Sequence, residues 1–166
     1  GTISHELQHL IHHNYDPNET LHFNEGLSEV ATIVCGGGYI SHAHYLNQAD
    51  QINWTWAGTA ADYSMASLFV LYFVEQLGDK SIKDFINLNS AGNPMNGWSA
   101  FNQLMTNYGT GLTHREWLVD WYTANYLNNK VISPKYGYDL WMPMTARSTA
   151  MHLSGKVDSP NNTVPI

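Results

Sequence analysis

Two histidines and a glutamate near the start of the chain have the spacing of a zinc-binding motif. His5, Glu6 and His9 form the sequence H-E-x-x-H. On an α-helix, residues four apart lie on one face, about one turn from each other. Two imidazoles in that arrangement can bind one Zn²⁺ at about 2.0–2.1 Å. Glu6 would then flank the metal without binding it, where it could take a proton from a zinc-activated water.

A pair of glutamates follows in the segment N-E-G-L-S-E, residues 24–29. A catalytic zinc site needs a third protein ligand and an open fourth position, and we expect Glu25 to be that ligand. Glu29, one helical turn later, would accept a hydrogen bond from a ligand imidazole and hold its tautomer, with His5 as the expected partner. The alternative interpretation is a solvated helix face that carries two glutamates.

The pairing of H-E-L-Q-H with N-E-G-L-S-E resembles the gluzincins, zinc peptidases whose metal is held by two histidines and one glutamate. The second element is similar to N-E-x-x-S-D of the thermolysin group and to N-E-G-F-A of the zinc aminopeptidases. Fifteen residues separate His9 from Glu25, somewhat fewer than in those groups. The order of elements over residues 1–128 is most similar to the hyicolysin-type secreted bacterial metallopeptidases. This resemblance implies an extracellular or cell-surface protein of a bacterium.

Tyr63 is a further candidate that depends on the resemblance. The segment from Tyr63 to Gly78 is similar to the aminopeptidase helix that has a tyrosine at its start and Leu-Gly at its end. In that family the tyrosine hydroxyl donates a hydrogen bond to the oxyanion of the tetrahedral intermediate, which implies the same role for Tyr63. The alternative is a tyrosine that only packs on Trp54 or Trp56.

Apolar residues at helical spacing predict a mainly α fold around these residues. The predicted helices cover residues 2–13, 24–35, 62–77, 81–88, 98–107 and 113–128. The helix at 62–77 is expected to be amphipathic. Thr113 and Glu116 fit a capping box at the start of the last helix, whose buried face would include Trp117 and Trp121.

The remaining segments lack a clear helical pattern. Residues 39–61 are predicted to be irregular or to form a short helix, and residues 89–97 a loop. The resemblance implies that residues 1–128 form the helical catalytic subdomain of a zinc peptidase, the C-terminal part of a gluzincin domain. Residues 129–166 are interpreted as an extended, proline-containing arm of the same domain. Within that arm, residues 138–145 could form an edge strand, because Pro143 excludes a central one.

Composition argues against several classes of function. The chain has 166 residues and a formal net charge of −7, so we expect no binding to nucleic acid, which needs clustered basic residues. No stretch approaches about 20 apolar residues, so we expect no membrane span.

Cys35 is the single cysteine and is expected to be buried as a small apolar residue. His12 and His13, at the end of the first helix, are expected to be solvated or to face the helix dipole.

The resemblance also implies a further part of the protein. Gluzincins place a β-sheet before the metal helix, and its edge strand binds the peptide substrate by backbone pairing. The chain begins four residues before His5, so we expect a missing N-terminal part of the same protein that supplies this sheet. Without it, the isolated segment could carry every metal ligand and still be inactive.

The expected function is zinc-dependent peptide-bond hydrolysis, with a peptide or protein as the substrate. An endopeptidase is the first choice, and an aminopeptidase with the same chemistry is the first alternative. A second alternative is a non-catalytic, zinc-stabilised binding or adhesion domain. The presence of Glu6 argues against that alternative, because a purely structural site needs no general base.

Overall fold

The computed structural model describes residues 1–38 and 40–139, which form a mainly helical fold, as predicted. The helices are α1 (Thr2–Tyr15), α2 (Leu21–Val34), α3 (Ala43–Leu46), α4 (Ala60–Leu77), α5 (Lys80–Ile86), α6 (Gly97–Asn107) and α7 (His114–Leu127). A small antiparallel hairpin of β1 (Asn89–Ser90) and β2 (Asn93–Pro94) replaces the loop predicted before α6. None of the described helices is both long and apolar enough to span a membrane. The predicted strand at 138–145 lies outside the described residues from position 140 onward.

Helix α4 lies at the centre of the fold. It begins with a capping box, in which Thr59 accepts from the Asp62 N–H and the Asp62 carboxylate accepts from the Thr59 N–H at 2.8 Å. The prediction that this helix is amphipathic is wrong, because its buried residues lie on all of its sides. The cause is that α2, α3 and α5 all pack against it. A helix covered in this way must be apolar around most of its circumference.

Helices α2 and α4 approach very closely at Gly26. A Cβ atom at Gly26 would lie 2.6 Å from the Ala66 carbonyl oxygen and 2.7 Å from Cγ2 of Val70. Any side chain there would push the two helices apart, so glycine is required by the close approach of α2 to α4. Helix α1 packs on α2 in turn. The central helix therefore fixes α2, and α2 fixes α1.

An aromatic core joins the remaining helices to this centre. Phe23 of α2 stacks on Phe85 of α5, with ring centroids 5.0 Å apart. In α7, Trp117 and Trp121 are buried and the capping box of Thr113 and Glu116 is present, as predicted. Phe23 is the residue by which α2 joins this aromatic core.

The apolar stripe of α1 faces solvent. Among its members, Ile3 is 84% exposed and Leu10 is 69% exposed, and Leu7, Ile11 and Tyr15 are exposed as well. The helix is present as predicted, but no residue of the described segments covers this face. An apolar helix face of this kind is normally buried against another element.

Cys35 is exposed, so the prediction of a buried cysteine is wrong. Helix α2 ends at Val34, and Cys35 is its C-cap residue. The next residue, Gly36, turns the chain away with a φ of +71°. The apolar run at 30–35 therefore extends past the last buried turn of the helix.

The described part of the C-terminal arm, residues 129–139, folds back onto the helices. Lys130 forms an ion pair with Glu75 of α4, with 2.6 Å between Nζ and Oε1. Tyr138 is buried, and its hydroxyl donates a hydrogen bond to the Asn125 side chain. This part of the arm therefore belongs to the same packed unit as the helices.

His42 attaches α3 to α4. Its carbonyl oxygen accepts a hydrogen bond from the Ser64 hydroxyl at 3.1 Å, and its Nε2 lies 3.4 Å from the Ser67 hydroxyl. The side chain is buried, and burial lowers the pKa of His42 from 6.5 to about 4. The folded state therefore favours the neutral imidazole.

We predict that this histidine makes the fold less stable in mild acid. Between pH 6.5 and pH 4 the unfolded chain binds a proton at His42 that the folded chain does not, so stability falls as the pH falls. The shift corresponds to a loss of about 3 kcal/mol over this range. Urea unfolding at both pH values, with EDTA present to remove metal effects, should show a smaller loss for His42→Gln than for the wild type.

The matched control for this experiment is His44→Gln, an exposed position two residues later. It should leave the acid-dependent loss of stability unchanged. An equal loss of stability in His42→Gln and in the wild type would contradict the assignment to His42.

Candidate metal centre

Three side chains from α1 and α2 converge at one point. Nε2 of His5 lies 3.0 Å from Nε2 of His9, and Oε2 of Glu25 lies 3.3 Å and 3.4 Å from these two nitrogens. The histidines are four residues apart on α1 and share one face of it. Glu25, in the second turn of α2, meets that face because the two helices pack side by side. The three residues predicted as metal ligands are thus brought together.

The second nitrogen of each imidazole has its own acceptor. Nδ1 of His5 lies 3.2 Å from Oε1 of Glu29, and Nδ1 of His9 lies 2.8 Å from Oδ1 of Asn24. A carboxylate and an amide oxygen only accept hydrogen bonds, so these contacts favour the tautomer with the proton on Nδ1 in each ring. Each Nε2 then carries a lone pair that points to the convergence point. Glu29 is therefore in the position predicted for it, next to His5.

This arrangement fits a positive ion. Two lone-pair nitrogens and a carboxylate oxygen repel one another at these distances unless a shared proton or a metal cation lies between them. Oε2 of Glu25 is buried and has no hydrogen-bond partner among the described residues. Ligand atoms on a tetrahedral ion with bonds of about 2.05 Å are about 3.3 Å apart. The observed separations of 3.0, 3.3 and 3.4 Å match that geometry, so these side chains could hold one metal ion.

A polar contact behind His9 was not predicted from the sequence. The Ser28 hydroxyl donates to Oε1 of Gln8 at 2.6 Å and lies 3.0 Å from Nδ1 of His9. Asn24 and Ser28 are four residues apart, so they form a polar row on α2 beside the row of glutamates. That spacing was a usable signal for side chains that orient the second imidazole.

Glu6 is exposed at the junction of two open clefts. One cleft, of about 440 Å³, is lined by His5, Glu6 and Glu29 together with residues of the Gly37–Gly38 turn. The other, of about 480 Å³, is lined by Glu6 and the ligands His9 and Glu25. The Glu6 carboxylate therefore lies where both clefts meet the candidate metal centre. It is accessible to solvent and to any molecule that enters either cleft.

Tyr63 lies near the start of α4, on the side of that helix nearest to the candidate centre. Partial desolvation raises the pKa of Tyr63, and the charges of three glutamates raise it further. These glutamates are Glu25, Glu29 and Glu6. Its ring also packs on Trp56, with 5.0 Å between centroids. The hydroxyl is therefore held in its protonated, hydrogen-bond-donating form next to the carboxylates, and the ring makes the contact that the alternative interpretation described.

His12 differs from the expectation for the end of α1. It is only 1% exposed, so the prediction of a solvated side chain is wrong for this residue, whereas His13 is exposed. A position in the last helical turn does not specify which side faces the protein. Here the side of α1 that carries His12 faces the loop that leads into α2.

Comparisons with known proteins assign no family to this chain. No protein-family model matches it, and no curated protein matches it at a significant level. The argument for function therefore depends on the geometry of the candidate centre.

We predict that Asn24 contributes to metal affinity without contacting the ion. Asn24→Ala removes the shorter of the two contacts of His9 Nδ1 and leaves only the Ser28 hydroxyl at 3.0 Å, which holds the ring less firmly. Such outer contacts typically contribute 10–100-fold in affinity. Zinc titration in competition with a chromophoric chelator should show a loss of that size. Asn14→Ala, the same change at an exposed position on α1, is the matched control. Equal zinc affinity in both variants would contradict the role of Asn24.

Proposed function

We propose that this chain is the metal-holding helical part of a gluzincin-like zinc peptidase. The observation that carries the proposal is the convergence of His5, His9 and Glu25 with an exposed glutamate beside them. Two imidazoles and one carboxylate with an open fourth position are a donor set typical of catalytic zinc sites. Bound zinc would act as a Lewis acid on a carbonyl oxygen and would lower the pKa of a water molecule in that position to about 7.

Glu6 is proposed as the general base and acid. Its carboxylate would take the proton of the attacking water and then give it to the nitrogen of the departing amine. Its exposure at the junction of the two clefts supports this role, because the residue must reach both water and substrate. A metal site with a purely structural role would not need such a residue, so this position favours an enzyme over a binding or adhesion domain.

Tyr63 is proposed as a hydrogen-bond donor to the carbonyl oxygen of the substrate. As negative charge develops on that oxygen, a hydrogen bond from a fixed donor becomes stronger and lowers the barrier. Its position near Glu6, Glu25 and Glu29 supports this role, because it places a hydroxyl donor beside the candidate centre. Glu29 and Asn24 would hold the two ligand imidazoles in position.

The proposed substrate is a peptide or protein, and an endopeptidase remains the preferred choice over an aminopeptidase. The clefts on both sides of Glu6 are open and give room for chain on either side of a scissile bond. The exposed apolar face of α1 supports the expectation that another part of the protein packs there and supplies substrate-binding strands. By the same resemblance, we propose a bacterial protein that acts outside the cell or at its surface.

We predict that Glu6→Gln removes nearly all hydrolysis while zinc binding is retained. The amide cannot accept the proton, and general acid–base catalysis typically contributes about 10²–10⁴-fold to the rate. The rate at which the full-length protein cleaves fluorescently labelled casein should fall by that factor. Asp50→Asn, the same chemical change in an exposed loop, should retain full activity. A Glu6→Gln variant with wild-type activity would eliminate this mechanism.

A further inference from the structure

A second group of ligand-type side chains lies in the loop between α1 and α2. His12 and Asp16 are 1% and 4% exposed, and Glu19 is half-buried. Each residue offers one ligand atom within 4.8 Å of the other two. Ligand bonds of about 2.0–2.4 Å on opposite sides of an ion span about 4–4.8 Å, so a single ion can bridge them.

The two carboxylates each use one oxygen to hold the loop. Oδ1 of Asp16 accepts the Asn18 N–H at 3.0 Å. Oε1 of Glu19 accepts the N–H of Gly97, at the start of α6, at 2.7 Å, and also the N–H and hydroxyl of Thr20. These contacts fix both side chains and leave the second oxygen of each free for another partner.

The remaining nitrogen and oxygen atoms of these three side chains have no hydrogen-bond partner in the described part of the chain. Oδ2 of Asp16, Oε2 of Glu19 and both ring nitrogens of His12 are buried without a hydrogen bond from any described residue. A buried polar atom without a partner costs about 1–3 kcal/mol, and more when it is charged. Three such groups beside one another form the donor pattern of a metal site.

We propose that His12, Asp16 and Glu19 form a second divalent-metal site, separate from the centre at His5, His9 and Glu25. One imidazole and two carboxylates favour a transition metal of the zinc class over calcium, which prefers oxygen ligands alone. The two negative charges of the carboxylates would balance the two positive charges of a divalent ion, and the neutral imidazole would add a ligand without charge. The candidate ligand atoms are all buried, so the site would be structural and would not admit a substrate.

This site would set the geometry of the first one. His12 is three residues after His9 on α1, and Glu19 is six residues before Glu25 on the way into α2. An ion bound here would fix the end of α1 against the loop that begins α2, and Glu19 would tie that loop to α6. The spacing between the two helices that carry the catalytic ligands would then no longer depend on the loop sequence alone.

The test is the number of zinc ions bound per chain, measured by elemental analysis after dialysis against micromolar Zn²⁺ and gel filtration. We expect two for the wild type. Asp16→Asn/Glu19→Gln should bind one, because each amide keeps the oxygen that accepts the loop hydrogen bonds and replaces the free oxygen by a nitrogen that cannot bind metal. His5→Gln/His9→Gln should also bind one, and the variant with all four changes should bind none.

His13→Gln, at the exposed neighbouring histidine, is the control for surface binding and should still bind two. One ion in the wild type that is lost in His5→Gln/His9→Gln would overturn the proposal. This outcome is read from the wild type and the His5/His9 variant alone, so it does not depend on whether a loop variant folds. Two ions in Asp16→Asn/Glu19→Gln would overturn it as well. One ion that survives His5→Gln/His9→Gln and is lost in Asp16→Asn/Glu19→Gln would support the second site and contradict the first.

Discussion

The convergence of two lone-pair nitrogens and one carboxylate oxygen within 3.0–3.4 Å is the constraint on which the candidate centre depends. Electron-rich atoms do not lie at such distances from one another in a folded protein unless their mutual repulsion is offset. A divalent cation would offset it directly, and its binding would contribute to folding because no such site exists in the unfolded chain. The rest of the structure can be understood as the support that holds these three atoms in place.

That support is built in layers behind the centre. Gly26 lets α2 lie against the buried helix α4, and this contact fixes the position of the neighbouring Glu25. Helix α1 then lies on α2, where Glu29 and Asn24 bind the outer nitrogens of the two imidazoles. One side of the candidate metal centre is therefore packed against the helices. The other side, at Glu6, is open, as the proposed hydrolytic function would require.

The sequence was sufficient to predict which candidate ligands share a helix face, because their spacing is helical. H-E-x-x-H and the pair Glu25 and Glu29 each have residues four apart, so their shared faces follow from the geometry of a helix alone. That the two faces meet could be inferred only from resemblance, because the packing of α1 on α2 is a tertiary contact. The roles of Asn24 and Ser28 were missed for the same reason, since each depends on which atom of the facing helix lies opposite.

The wrong predictions have a related cause. Apolar periodicity shows that a helix has a face but not how many neighbours will cover it, so α4 was expected to be amphipathic and is buried on nearly all sides. Position near a helix end also does not specify direction, so His12 was expected to be solvated or to face the helix dipole, and its side chain is buried. Cys35 lies one residue beyond the helix that was expected to bury it.

The most direct test of the central claim is a crystal of the zinc-soaked protein, measured on both sides of the zinc absorption edge. The account predicts an anomalous peak about 2.0–2.1 Å from Nε2 of His5, Nε2 of His9 and Oε2 of Glu25, with a water molecule as the fourth neighbour. No peak among these three atoms, in crystals where zinc is bound elsewhere on the chain, would contradict it.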